Sequence, residues 1–167
     1  MKTTAVFLVV LLLVGLSGCT QTVPYRTYTN AQYGIALNPP EGWGIHENES
    51  GMVVSFSPLG RANVSLDISS PVMLDEGLAL STFADQVEEL FPQVVQNFSV
   101  VYRDWRKIDG LNAYEIIYSY RENGSSMKAL QVAVKKSKTV FLLTFTVPVD
   151  LYETYIEQVN QSIGTFM

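Results

Sequence analysis

Between Phe98 and Val147 four stretches of alternating apolar and polar residues follow one another with only short turns between them. Nothing else in the sequence restricts the fold as much. Neighbouring strands joined this closely have no room for a crossover helix, so they must pair antiparallel. Phe98–Ile108 runs into Asp109-Gly110. Asn112–Arg121 then places Tyr114, Ile116, Tyr118 and Tyr120 on one face. Asn123-Gly124 follows, the strongest hairpin signal in the chain, because both central positions of a type I′ turn need positive φ. Ser126–Lys136 returns with Leu130, Val132 and Val134 facing inward. Lys138–Val147 is apolar on both faces, the mark of a central strand covered from both sides.

Upstream, shorter segments with the same period are predicted as strands: Tyr33–Leu37, Trp43–Glu47, Met52–Ser57 and Ala62–Ser69, separated by turns rich in Pro, Gly and Asn. The period then changes. Phe83, Val87, Leu90 and Phe91 form a helical face within Leu80–Val95, which Pro92 should end or kink. Thr82 with Asp85 has the spacing of a capping box. A second helix is predicted over Asp150–Phe166, with Asp150 and Glu153 as its capping box and Leu151, Tyr155, Val159 and Ile163 as its stripe. The fold class is therefore α+β: an antiparallel sheet of six or seven strands flanked by helices, one after the fourth strand and one at the C-terminus.

The first nineteen residues carry a different message. Lys2 is a short positive region, Ala5–Leu16 an apolar run broken only by Gly15, and Leu16-Ser17-Gly18-Cys19 has the order that a lipoprotein signal peptidase reads. An ordinary secretory signal or an uncleaved anchor is the alternative, but a run this short does not comfortably span a bilayer, which takes about 20 residues. Cys19 is also the only cysteine. The expected layout is a lipoprotein signal peptide at 1–18, a membrane-proximal tether at 19–29 and one domain at 30–167. Acyl chains such as palmitate on Cys19 would hold the protein on the outer face of the cytoplasmic membrane or at the cell surface. The host would be a bacterium or an archaeon. With Cys19 lipidated no disulfide is available, so burial alone must hold the domain together.

Charge is unevenly spread. Thr20–Tyr102 holds two basic residues against nine acidic ones, whereas Arg103–Lys138 holds eight basic against four acidic. Solvated strands and turns explain such a run without any function. The functional alternative is a basic face, made of Arg103, Arg106, Lys107, Lys128, Lys135, Lys136 and Lys138, turned toward an acidic partner or anionic head groups. No nucleic-acid partner is expected.

Catalytic and metal-binding signatures are sparse. His46 is the single histidine, in a short strand where a solvent-facing role is expected. Ser57, Ser65 and Ser99 have no nucleophile elbow, and no phosphate-binding glycine loop is present. Asp75-Glu76 and Glu88-Glu89 are read as solvated carboxylates rather than metal ligands. Trp43, Trp105 and the tyrosines are read as packing rather than a stacking platform. No catalysis, cofactor or metal is expected. Five of eight asparagines begin Asn-x-Ser: Asn48, Asn63, Asn97, Asn123 and Asn160. Turn chemistry explains part of that clustering. N-glycosylation is the alternative, with Asn123 the best acceptor and Asn160, inside a helix, the worst.

The run Tyr33-Gly34-Ile35-Ala36-Leu37-Asn38-Pro39-Pro40-Glu41-Gly42-Trp43 resembles the opening signature of PsbP-like domains. Val53–Pro58, Ala62–Ser69, the helix, the strand Gly110–Tyr120, the hairpin and the C-terminal helix follow in that family's order. The resemblance implies an α/β/α sandwich, shared with the extrinsic photosystem II subunit and with a nuclear-transport factor that binds a small GTPase. It also implies an accessory or assembly role through protein contacts outside the cytoplasm. A surface lipoprotein that binds a small ligand or a metal is the alternative.

Overall fold

The computed structural model describes residues 26–47, 51–75 and 78–167. The strands are β1 (Tyr28–Asn30), β2 (Ile35–Leu37), β3 (Trp43–Glu47), β4 (Met52–Pro58), β5 (Ser65–Ser69), β6 (Val72–Met73), β7 (Gln96–Ile108), β8 (Leu111–Glu122), β9 (Ser125–Lys136) and β10 (Thr139–Pro148). The helices are α1 (Ser81–Leu90), between β6 and β7, and α2 (Tyr152–Gly164), after β10. Eight strands form one antiparallel sheet in the order β3-β4-β5-β10-β9-β8-β7, with β6 also paired to β10. β1 and β2 form a separate hairpin.

The predicted alternation decides which side chains meet. Tyr114, Ile116, Tyr118 and Tyr120 face α1, where Ala84 and Val87 pack with Met127 and Ala129. Phe91 and Phe98 close over Tyr118, with ring centroids 5.2 and 5.5 Å away. Leu130, Val132 and Val134 face the other way and join Phe141, Leu143 and Phe145 beneath Val159, Ile163 and Phe166 of the α2 segment. β10 lies under both layers, since Val140 packs toward α1 beside Leu80. This is the expected sandwich, with eight strands in its main sheet against the six or seven expected.

Several local expectations fail for identifiable reasons. Tyr28 and Thr29, expected in the tether, form β1, and Tyr28 is buried edge-on against Phe56. Neither capping box forms. α1 begins at Ser81 with Leu80 at its N-cap, so Thr82 is already inside the helix, and Asp85 turns to Arg103. Asp150 lies in a 3₁₀ turn, Val149–Leu151, that precedes α2 and puts Leu151 at the cap. Pro92 does end α1, within the 3₁₀ turn Phe91–Gln93.

Candidate interaction surfaces

α2 and the β1–β2 hairpin cover one face of the sheet. α1 covers the β7–β10 side of the other face, so the β3–β5 side carries no helix there. On this open side the register aligns His46, Ser55 and Asp67 across three strands. Ser55 Oγ donates to Asp67 Oδ1 at 2.5 Å and Ser65 Oγ to Oδ2 at 2.8 Å. His46 Nε2 lies 3.1 Å from Ser57 Oγ. Asp67 thus accepts from two serines, one on its own strand and one on the neighbouring strand. These residues line a cleft of about 360 Å³. No local pattern announces the cluster, because its members lie on three different strands. Among the described residues no group of three or more His, Cys, Asp or Glu is placed to hold a metal ion. Glu88 pairs with Arg103, and Glu76 lies outside the described residues.

The seven basic residues do not form one face. Arg103 and Arg106 are three apart in a strand and therefore point to opposite faces. Arg103 reaches Glu88 (2.6 Å) and Asp85 (3.4 Å) on α1. Arg106 reaches Glu115 (2.7 Å) and Asn160 of α2 (3.2 Å). Together they brace β7 against the helices on both sides. Lys128 lies 3.7 Å from the ring centre of Tyr152 and 3.8 Å from Glu153. The remaining four gather at one end of the sheet, where the β7–β8 and β9–β10 turns meet. Lys107, Asn112 and Lys135 are aligned across β7, β8 and β9. Lys138 sits in the next turn, and Lys136 donates to the Gly34 carbonyl of the β1–β2 hairpin. None of these four makes an ion pair among the described residues.

β7 is the edge of the sheet and the longer of its two edges, with 13 residues against five in β3. Its pairing with β8 shifts register twice, between Gln96 and Ser99 and between Val100 and Tyr102. From Tyr102 to Ile108 it is regular. A long, regular edge presents unpaired backbone groups to any passing strand. Here the Trp105 N–H donates to the Asp104 carboxylate at 2.7 Å, which blunts the edge locally, and the Tyr102 hydroxyl donates to the same carboxylate at 3.2 Å. Val101, Tyr102 and Trp105 are all exposed.

Cys19 and Asn48 lie outside the described residues. Asn63, Asn97 and Asn123 are exposed, the last two at positive φ in a bulge and a turn. Asn160 is half-buried and accepts from Arg106.

A family model described as DcrB matches residues 27–165. Among solved structures the chain is similar to the cyanobacterial PsbP, CyanoP, of Synechocystis sp. PCC 6803. Identity is 14% and the TM-score 0.67, over 91% of this chain and 98% of that one. It is also similar to LpqN of Mycobacterium tuberculosis, described as involved in cell envelope biogenesis. There identity is 16% and the TM-score 0.57, over 88% of this chain and 86% of that one. At these identities the likeness establishes the fold, which is the PsbP-like one expected from the sequence. No curated protein matches the chain by sequence.

Proposed function

The chain belongs to the DcrB family, and on that premise we propose that it is a lipid-anchored, non-catalytic accessory protein of the cell envelope. It works outside the cytoplasm by binding a membrane-associated protein along the edge strand β7. The lipobox ending at Cys19 supports the anchor. LpqN's description supports an envelope setting, and a fold reused for many roles carries no activity with it. One observation carries the contact: the regular stretch Tyr102–Ile108 at an open sheet edge, held stiff by Arg103 and Arg106. Strand addition uses such an edge, with main-chain bonds for affinity and alternate side chains for specificity.

The test is fractionation and co-purification. Cys19→Ser should move the protein out of the membrane fraction. Wild-type protein purified from solubilised membranes should bring down one envelope protein, and Val101→Asp with Tyr102→Asp should lose it while the chain stays folded. Unchanged recovery contradicts the contact.

A second reading, a small-ligand site, is favoured by the cleft beside Asp67. Equilibrium dialysis that finds no stoichiometric ligand or metal would remove it.

A further inference from the structure

We propose that the sheet end built around Trp105, Lys107, Lys135 and Lys138 rests on the anionic surface of the bilayer that holds the anchor. The inference builds on the lipid anchor at Cys19 and adds to it an orientation. Three exposed apolar side chains lie on the α1 face of this end: Val72 of β6, which pairs with Val140, Leu78 in the lead-in to α1, and Trp105 of β7. Trp105 and Leu78 line one small hollow together with Lys135. β6 pairs with the start of β10, one residue beyond Lys138. An interface suits an indole that is more than half exposed, because one end of the ring is apolar and the other can stay wet. Lysines around such a patch keep their ammonium groups at the head-group level.

Three further observations choose lipid as the occupant. First, the chain as a whole is acidic, −5, so a cluster of lysines is a local feature and not a general one. Among the described residues Lys107, Lys135 and Lys138 outnumber the nearby acids Asp75 and Asp109 and make no ion pair. Second, nine residue steps separate Cys19 from Tyr28, a reach of at most about 30 Å, so the domain cannot stand far from the membrane. Third, the β1–β2 hairpin that follows the tether reaches this same end of the sheet, where its tip is tied to Lys136 on the opposite face from Trp105. A tether of this reach lets this end of the sheet come down on the membrane.

The test uses the lipidated chain reconstituted into phosphatidylglycerol/phosphatidylcholine vesicles with brominated acyl chains. Trp43, packed between Phe145 and Tyr155, is the internal reference. Fluorescence should be quenched, and Trp105→Phe should leave an unquenched Trp43 signal. Lys107→Glu, Lys135→Glu and Lys138→Glu together should abolish quenching while the chain still floats with the vesicles. Salt should weaken quenching, because the screening length falls from roughly 30 Å at 0.01 M to 3 Å at 1 M. A chain that floats with an unquenched Trp105 overturns the docking and leaves the anchor standing. A chain that does not float overturns both. Protection of Trp105 only when another membrane protein is added makes this end of the sheet a protein contact and also overturns the proposal.

Discussion

Tyr152 shows how a single side chain couples burial to pH. Its ring is buried beside Phe145 and beneath Lys128, and its hydroxyl finds no partner among the described residues. An unsatisfied buried hydroxyl costs about 1–3 kcal/mol. Tyr152→Phe removes it without opening a cavity, so the variant should be as stable as the wild type or more stable by about 1 kcal/mol, read from urea unfolding. Burial, with Glu153 and Glu115 nearby, pushes the Tyr152 pKa up to about 12. Burial, with the neighbouring Tyr120, raises Tyr118 as well. A raised tyrosine pKa means that the folded state holds its proton more tightly than the unfolded chain. That part of the stability is intact below about pH 10 and is lost as the pH rises towards 12. Wild type should therefore lose stability faster than Tyr152→Phe between those limits. Parallel curves would contradict the assignment. Arg103 is a contrast: its pairs with Asp85 and Glu88 are solvated, so Arg103→Ala should cost no more than about 1 kcal/mol.

At the level of elements, α2 does more than cover the sheet. Its C-terminal extension places Phe166 against Phe141, with centroids 5.6 Å apart, and Met167 exchanges two backbone hydrogen bonds with Ala36 of β2. Asn38 ties the same region to Ser162 and Thr165. Phe166→Ala should cost about 3–5 kcal/mol, as for a fully buried aromatic. It should also speed amide exchange in the β1–β2 hairpin before the rest of the sheet, and uniform exchange would contradict that local coupling. Asp104 belongs to the edge strand: removing its carboxylate frees the Trp105 N–H, so Asp104→Ala should strengthen the partner contact in a co-purification assay. Much of this level was legible in the sequence. Tyr114 to Tyr120 and Asn123-Gly124 gave β8 and β9 within a residue, because alternation and a turn requiring positive φ are local signals. β6 was not legible, since two exposed residues carry no period. The capping boxes misled for a different reason. Their spacing was present, but packing of Leu80 and Leu151 set the helix starts elsewhere.

For the molecule as a whole, the sandwich could be read from the order of periods, whereas its surfaces could not. β5 pairs with β10 across more than seventy residues, so the β3–β5 half joins the meander only late in the chain. The serine and aspartate cluster on that half arises from cross-strand register and has no sequence signature. The basic run Arg103–Lys138 looked like one face and divides into helix braces and a lysine-rich end, because successive strand residues alternate sides. What remains is the edge strand β7, tied by Arg103 to α1 and by Arg106 to α2, and that edge is the centre of the account. A photo-crosslinker at Tyr102, in cells, tests it most directly, with Glu157 on exposed α2 surface as the control position. The account predicts one reproducible envelope-protein adduct from Tyr102 and none from Glu157. No adduct at Tyr102, or the same adducts from both positions, would contradict it.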